Sequence, residues 1–408
     1  MIDKAKEILT RFTSQIPQTI LGPERVNFVV EKIKDLSSDD KLILFKLTNH
    51  ILTLMIERNA SDVEIGGYGT NGYVWFRIHG VKNRVEDLPV LTTDEASTLI
   101  ITLLNQNQHR HLLVSRNLDF SYTFFHEKVK KNVRFRADAY FDLDSLALNM
   151  RAISATTRPI ESLEFHPNAV KMMSHNYIKF GLSLVTGITG SGKSTTLDSI
   201  IDMHNKVDPC HIVIIAAPIE YVHVSNSSIV RHREVGRDVL SFKEGVIQGL
   251  RQDPDIIVIG EMRDPDTIMA ALEVTDTGHK VFSTLHTSSA TESIDRIIAE
   301  VNPVEQERVR NRLADVLITI VSQKLVPSTD GKRVLAKEVL IVTPSVRAAI
   351  KNNNTSEIYM MIVQGGPQGM ITMEQDLLRL YQQRKITQEN ALSYANNKTR
   401  MLQIMRGV

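Results

Sequence analysis

Between residues 171 and 302, patterns typical of buried strands alternate with patterns typical of helices. The runs LSLVTG, HIVIIAA, DIIVIGE and KVFSTLH are almost continuously apolar, as strands buried on both faces must be. The segments between them space their apolar residues three and four positions apart, as amphipathic helices do. This alternation predicts a doubly wound, mainly parallel sheet covered by helices, which is an α/β fold.

The first of these strands leads into a glycine-rich loop with the sequence GITGSGKST. The loop matches the pattern G-x-x-x-x-G-K-[ST], with a strand before it and a helix after it as the pattern requires. Its backbone N–H groups are expected to surround a phosphate, while Lys193 reaches the β- and γ-phosphates and Ser194 binds Mg²⁺. A glycine-rich turn without a ligand is the alternative. The predicted nucleotide-binding residues are Gly187, Ile188, Thr189, Gly190, Ser191, Gly192, Lys193, Ser194 and Thr195.

Three further side chains flank strands of this sheet. Glu261 follows DIIVIG and is predicted to hold the water shell of the metal or to polarise an attacking water. The alternative for Glu261 is a helix N-cap acid within GEMRDPDT. His286 ends the strand in KVFSTLH, at the edge where ligands bind, whereas His279 lies at the other end of that strand. Both histidines are catalytic candidates, and a structural or surface role is the alternative for each.

The remaining chain divides into four parts. Residues 1–50 have helical periodicity, and residues 51–155 contain short alternating strands such as YVWFRIHG and VRFRADAYF. Residues 156–170, which include TTRPIESLEFHPN, have the composition of a linker. Residues 303–408 are predicted to be largely helical, with RVRNRLADVLITIVSQKL as a helix and one strand pair near RVLAKEVLIV.

Composition narrows the class of protein. The net charge of +1 argues against a nucleic-acid partner bound through the overall field of the chain. Cys210 is the single cysteine, so the chain has no internal disulfide and no CxxC zinc site, which fits a reducing compartment. The first residues show no secretory signal, and no apolar run approaches the roughly 18 residues that a bilayer span needs. The sequence therefore predicts a cytoplasmic protein.

These motifs resemble those of the secretion ATPases that power type II secretion and type IV pili, and above all the pilus retraction ATPases. The resemblance runs from about residue 57 to the C-terminus. The segment VTPSVRAAIK resembles a C-terminal segment linked to retraction, and a single cysteine excludes the four-cysteine zinc insertion of the extension ATPases. The matching stretches are ASDVEI, RIHG, LDFSYT, RFRADAY, TGITGSGKSTT, PIEYVH, LRQDPDIIVIGEMRDPDT, TGHKVFSTLHT and IDRII.

The resemblance implies a RecA-like P-loop ATPase domain, a smaller PAS-like N-terminal domain and a helical C-terminal part. It implies ATP as the nucleotide, with Mg²⁺ bound by Ser194 and, through water, by Glu261. The arginines that reach the phosphates in this family fall at Arg136 and Arg151, for which a surface or strand-edge position is the alternative. The implied partners are five further copies in a homohexamer, an inner-membrane pilus platform protein and, in one version, a paralogous ATPase. The implied location is the inner face of the cytoplasmic membrane.

The chain departs from the family at one catalytic position. Retraction ATPases carry a Glu-Asp pair before the proline of PIE, and that glutamate is thought to activate the attacking water. This chain has Ala216 and Ala217 there, although Glu220 is retained as a catalytic candidate. The N-terminal helices and the stretch FDLDSLALN are further departures. Loss of a general base costs about 10²–10⁴-fold in rate and leaves nucleotide binding intact.

Three functions are therefore compatible with the sequence. The first is a hexameric ATPase motor for pilus retraction and twitching motility, or for a closely related envelope machine, in which Glu261 or Glu220 serves as the base or turnover is slow. The second is a catalytically weak ATP-binding subunit that works beside an active paralogue. The third is a traffic ATPase of a conjugation-type secretion system.

Overall fold

The computed structural model describes residues 1–153 and 156–407. They form two compact units: an N-terminal unit, Met1–Ala155 with Ala217–Tyr221, and a C-terminal unit, Thr156–Ala216 with Val222–Val408. The predicted domain boundary at residue 155 and the last residue of the chain lie outside the described residues. No helix of the described ranges is both long and apolar enough to cross a bilayer.

The N-terminal unit is a six-stranded antiparallel sheet with helices. The strand order is β3-β2-β1-β6-β5-β4 once the strands are numbered along the chain. The helices are α1 Ile2–Thr13, α2 Gly22–Lys32, α3 Ser38–Glu57, α4 Thr93–Thr102 and α5 Gln106–Ser115. The strands are β1 Ala60–Gly66, β2 Val74–Ile78, β3 Val81–Val85, β4 Asn117–His126, β5 Lys131–Asp142 and β6 Ser145–Ala152. This is the small mixed α/β domain that the sequence predicts.

The N-terminal helices are an integral part of this unit. Helix α4 packs against β6, and α1 and α2 pack against α4. The apolar stripe of α1, which consists of Ala5, Ile8, Leu9 and Phe12, is buried in the same core as the sheet. The helices of the predicted extension at residues 1–50 thus pack into the core of this unit.

Glu95 links helix α1 to helix α4, which packs against the sheet. It is the third residue of α4, is 2% exposed, and accepts a hydrogen bond from the backbone N–H of Thr92 in a capping box. Lys6 forms an ion pair with its carboxylate, and the Thr10 hydroxyl donates to it at 2.9 Å. Burial would raise the pKa of Glu95, but these hydrogen bonds hold it below its ordinary value. Glu95 is therefore ionised and connects α1 to α4.

The C-terminal unit contains a seven-stranded sheet in the order β13-β12-β7-β11-β10-β8-β9. All neighbouring strands are parallel except β12 and β13. The strands are β7 Gly181–Thr186, β8 His211–Ala216, β9 Ile229–Glu234, β10 Ile256–Ile259, β11 Lys280–Leu285, β12 Leu317–Pro327 and β13 Arg333–Ile341. The helices are α6 Pro167–Met173, α7 Lys193–Val207, α8 Phe242–Gly249, α9 Pro265–Asp276, α10 Ala290–Glu300, α11 Gln306–Val316, α12 Pro344–Lys351, α13 Ile358–Gln364, α14 Met373–Gln382, α15 Gln388–Tyr394 and α16 Lys398–Met405.

One predicted helix is wrong over half its length. The stretch RVRNRLADVLITIVSQKL is helical only as far as Val316, and its second half is strand β12. The residues after Val316 are rich in Ile, Val and Thr, which favour a pleated strand. Strand β12 pairs in parallel with β7, so the sheet continues past residue 302. The rest of residues 303–408 is largely helical.

The two edges of this sheet differ. Strand β9 pairs with β8 and carries exposed or half-exposed Arg231 and Arg233. Strand β13 pairs with β12, and its other side receives a bridge between Val339 and Ile371 and a hydrogen bond from the Lys337 N–H to Asp376 at 2.9 Å. One edge is thus charged and the other is covered.

Lys280 is a fully buried base at the start of β11. Its ammonium group donates to the carbonyl oxygens of Ile178 at 2.9 Å, Ser174 at 3.3 Å and Met172 at 3.4 Å. Burial lowers the pKa of Lys280 to about 7, partly offset by the charge of Asp208. The loop before β7 is therefore fastened to the sheet by a group that titrates near neutral pH.

Glu95→Ala is expected to lower the free energy of unfolding by about 2 kcal/mol, because it removes one of the two hydrogen bonds of the capping box, the ion-pair partner of Lys6 and the acceptor of the Thr10 hydroxyl. Glu31→Ala is the control, since Glu31 forms an exposed ion pair with Lys34. Urea denaturation of both variants measures the difference. Equal losses would mean that the N-terminal helices do not depend on Glu95.

Lys280→Met is expected to weaken the dependence of stability on pH. An unfolded lysine has a pKa of about 10.5, so between about pH 7 and 10.5 the unfolded chain binds more protons at this site than the folded chain. Stability from this group therefore rises with pH across that window, by at most about 1.4 kcal/mol per pH unit. Denaturation from pH 7 to 10 should show a smaller rise in the variant than in the parent or in Lys332→Met, which changes an exposed lysine. Identical rises would contradict the lowered pKa.

Candidate active site

The glycine-rich loop connects β7 to α7 as the sequence predicts. Gly187 has φ 150°, and a Cβ added there would lie 2.5 Å from the main-chain oxygen of Gln323 and would collide with the Ser191 hydroxyl. Gly192 has φ 89°, in the left-handed region that favours glycine. The base of the loop is buried, while Ile188, Thr189 and Gly190 are exposed. The loop therefore presents its tip to solvent above a rigid base.

Lys193 is the first residue of α7 and is 9% exposed. Its ammonium group donates to the carbonyl oxygens of Gly187 at 2.8 Å and Ile188 at 3.2 Å, so its side chain folds back over the loop. Ser194 and Thr195 follow in the first turn, where helix N–H groups have no partner within the helix and attract anions. The loop, the lysine and the helix N-terminus thus form a site for phosphate.

Glu261 follows β10 at the same edge of the sheet and is held by two bases. Its carboxylate lies 2.6 Å from Nε of Arg263 and 3.5 Å from Nε2 of His286. Burial and the positive charge of Lys193 lower the pKa of His286, so its imidazole is neutral at pH 7. Glu261 and His286 are therefore direct neighbours, and the charge of Lys193 acts on His286. Arg263 was not among the predicted site residues, although it lies in the matching stretch GEMRD.

His279 lies elsewhere. It precedes β11, whereas His286 follows it, and six strand residues separate the two by about 20 Å. Its Nδ1 shares a hydrogen bond of 2.9 Å with the Thr277 hydroxyl. The structure thus brings His286, but not His279, to the edge that carries the phosphate loop.

Ala216 is the last residue of β8 and lies beside the end of β10. A Cβ added to Gly260 would lie 3.0 Å from the Ala216 Cβ, and Gly260 immediately precedes Glu261. A carboxylate at position 216 would consequently emerge next to Glu261. In this chain that position contributes no ionisable group.

Three candidate residues lie in the N-terminal unit. Arg136 on β5 lies 3.3 Å from Asp119 and 3.7 Å from Glu220, and Glu220 belongs to the segment Ala217–Tyr221 that groups with this unit. Arg151 on β6 lies directly opposite Arg136 in the sheet. The two candidate arginines are thus neighbours on one face, and Glu220 is an ion-pair partner of the first.

Asp62 holds the second arginine in place. It is 3% exposed and accepts hydrogen bonds from Arg151 at 2.7 and 2.8 Å, while Arg77 lies 3.9 Å away. Burial would raise the pKa of Asp62, but hydrogen bonds from Ser61 and Arg151 keep it below the ordinary value. Neither Asp62 nor Arg77 was among the predicted site residues, although they lie in the matching stretches ASDVEI and RIHG.

A divalent cation fits the chemistry of the phosphate site. The Ser194 hydroxyl and the Glu261 carboxylate supply the hard oxygen atoms that Mg²⁺ prefers. Within residues 1–153 and 156–407, no group of three or more His, Cys, Asp or Glu side chains could hold a metal by itself. Mg²⁺ usually binds through one or two protein oxygens together with substrate phosphates, so it would enter with the nucleotide.

The strand, loop and helix around Lys193, with the acid Glu261 following β10 at the same edge of the sheet, define a P-loop ATPase. Comparison with known proteins narrows the class. Residues 37–405 match the family described as Type II/IV secretion system protein, and the chain belongs to this family.

Two curated relatives illustrate the similarity. The chain is 37% identical to a twitching motility protein of Neisseria gonorrhoeae over 80% of this chain and 85% of the relative. It is also 37% identical to the type IV pilus retraction ATPase PilT of Pseudomonas aeruginosa, over 84% and 96%. A crystal structure of the pilus retraction motor PilT with bound ADP superimposes with a TM-score of 0.74 at 36% identity, covering 86% of this chain and 97% of that one. These matches confirm the predicted family and fold.

Proposed function

We propose that this protein is an ATPase motor that drives retraction of a type IV pilus. The observation that carries the proposal is a complete phosphate loop with Glu261 and His286 beside it, in a chain similar to retraction ATPases over most of its length. Arg263 forms an ion pair with the Glu261 carboxylate, and the neutral imidazole of His286 lies beside it. Retraction would then be powered by ATP that binds at residues 187–195.

Different residues of the candidate site are proposed to bind the phosphates, to hold the metal and to stabilise charge during transfer. The loop N–H groups and Lys193 bind the phosphates, and Ser194 and Glu261 would hold Mg²⁺, Glu261 through water. When bound, Mg²⁺ neutralises charge on the β- and γ-phosphates. In the nucleotide complex, His286 would turn the single N–H of its neutral imidazole from Glu261 to the γ-phosphate. Arg136 and Arg151 supply guanidinium charge as the phosphoryl group is transferred.

Assembly and location complete the proposal. We further propose that the protein works as a homohexamer at the inner face of the cytoplasmic membrane and acts on an inner-membrane pilus platform protein. The N-terminal unit supports the role of its arginines, because Asp62 orients Arg151 and both Asp119 and Glu220 lie at Arg136. His279 lies at the opposite end of β11 and takes no part in this scheme.

The missing acid at position 216 favours slow turnover. Glu261 is engaged by Arg263 and His286, and Glu220 lies close to Arg136, so each remaining carboxylate already has a charged or polar partner. Positioning and electrostatics still supply most of the acceleration in phosphoryl transfer. We therefore propose a working but slow ATPase. The same feature supports the second candidate, a weak ATP-binding subunit beside an active paralogue.

Lys193→Ala tests the nucleotide site. Removing the charge nearest the β- and γ-phosphates is expected to weaken ATP binding at least a hundredfold and to abolish hydrolysis. Lys206→Ala is the matched control, because Lys206 lies at the other end of α7 and is 55% exposed. Isothermal titration calorimetry with ATP measures both variants. Parental affinity in Lys193→Ala would overturn the assignment of the loop.

Ala216→Glu tests the missing base. We expect kcat to rise by a factor on the order of 10², the lower end of what a general base contributes. Ala216→Gln has nearly the same shape without the charge and should leave kcat unchanged. Steady-state hydrolysis with saturating ATP measures both. A fall or no change in Ala216→Glu would mean that Glu261 or Glu220 already acts as the base, because a second carboxylate nearby opposes ionisation.

A further inference from the structure

Gln323 is a buried amide beside the phosphate loop that the site described above does not use. It lies on β12 and is 1% exposed. Strand β12 runs parallel to β7 with Ser322 opposite Thr186, and the hydroxyls of these two residues are hydrogen-bonded at 2.8 Å. Gln323 is therefore level with Gly187, where the loop begins.

Gln323 contacts both ends of the loop. Its main-chain oxygen occupies the space that a side chain at Gly187 would need. Its side-chain Nε2 donates to the carbonyl oxygen of Ser191 at 2.8 Å. The same Nε2 would lie 3.3 Å from a Cβ at Gly192. The amide thus fits closely against the last turn of the loop before Lys193.

The hydrogen bond to Ser191 fixes the direction of the next N–H group. A trans peptide is planar, so its carbonyl and its N–H point in opposite directions. With the Ser191 carbonyl turned toward β12, the Gly192 N–H points away from β12. Because β12 covers one side of the loop, a phosphate approaches from the other side, toward this N–H. Gly192 has no Cβ to oppose the reverse orientation, so an external hydrogen bond is needed to select one.

A second observation indicates that the donor matters more than the packing. The Gln323 Oε1 and the Ser191 hydroxyl are both buried without a hydrogen-bond partner in the described structure. A buried acceptor without a partner is destabilising, and an apolar side chain of the same size would avoid it. The hydrogen bond that Nε2 donates to the Ser191 carbonyl explains why an amide stands at this position.

We propose that Gln323 is a positioning residue that holds the Ser191–Gly192 peptide with its N–H available to the nucleotide phosphates. The proposal rests on the proposed function only in taking the loop as the nucleotide site. Gln323 acts through the loop and needs no contact with the substrate.

Gln323→Met and, at a pH where the new carboxyl is ionised, Gln323→Glu test the proposal, since both remove the donor and the ionised carboxylate also places an acceptor against the Ser191 carbonyl. We expect the Kd of ADP and of inorganic tripolyphosphate to rise about tenfold in both variants. Tripolyphosphate reports on the loop alone, because it has no base or ribose. Gln375→Glu is the matched control: it removes an amide donor to the Val363 carbonyl and retains the acceptor of its capping box.

Calorimetry with the two probes and thermal melting separate the outcomes. Parental Kd values for tripolyphosphate in the folded variants would overturn the proposal, and so would a lowered melting temperature without a change in Kd, since that is the effect of packing alone. If Gln323→Glu does not fold, Gln323→Met remains as the test. Parental affinity in Lys193→Ala would instead remove the nucleotide site itself, so the two failures are distinguishable.

Discussion

The parallel register of the C-terminal sheet is the constraint on which the candidate site depends. Leu285 lies opposite Thr186, and the Gly187 N–H donates to the Leu285 carbonyl at 3.2 Å. The phosphate loop and His286 therefore leave adjacent strands at the same level. Glu261 reaches the same edge because β10 pairs in parallel with β11. A shift of one residue in any of these strands would turn its side chains to the opposite face and disperse the site.

The residues at this edge of the sheet could be predicted from the sequence because each motif lies within one short stretch of the chain. The strand, the loop and the helix around Lys193 are contiguous, and Glu261 follows its strand directly. The groups that hold these parts in place were not predictable in the same way. Gln323 lies 132 positions from Ser191, and Asp62 lies 89 positions from Arg151. Such partners become apparent only when strands distant in sequence are paired.

The apolar pattern alone also gave a wrong prediction where a helix and a strand have the same pattern. Residues 317–327 continue the spacing of α11 but form β12, because their β-branched residues fit between β7 and β13. The burial of Lys280 could not be predicted from the sequence either, because the carbonyl groups that accept its hydrogen bonds lie about a hundred positions earlier in the chain. The N-terminal helices were predicted as an extension, whereas their packing on α4 makes them part of the domain.

The unequal edges of the seven-stranded sheet have a consequence for solubility. An open strand edge offers unpaired N–H and carbonyl groups to any other extended chain, and such pairing begins aggregation. The covered side of β13 removes this hazard by structure. The charges on strand β9 oppose such pairing, because a second strand placed beside Arg231 and Arg233 would have to desolvate two guanidinium groups. Replacing those arginines with threonine or valine would preserve the strand and make it a site of self-association.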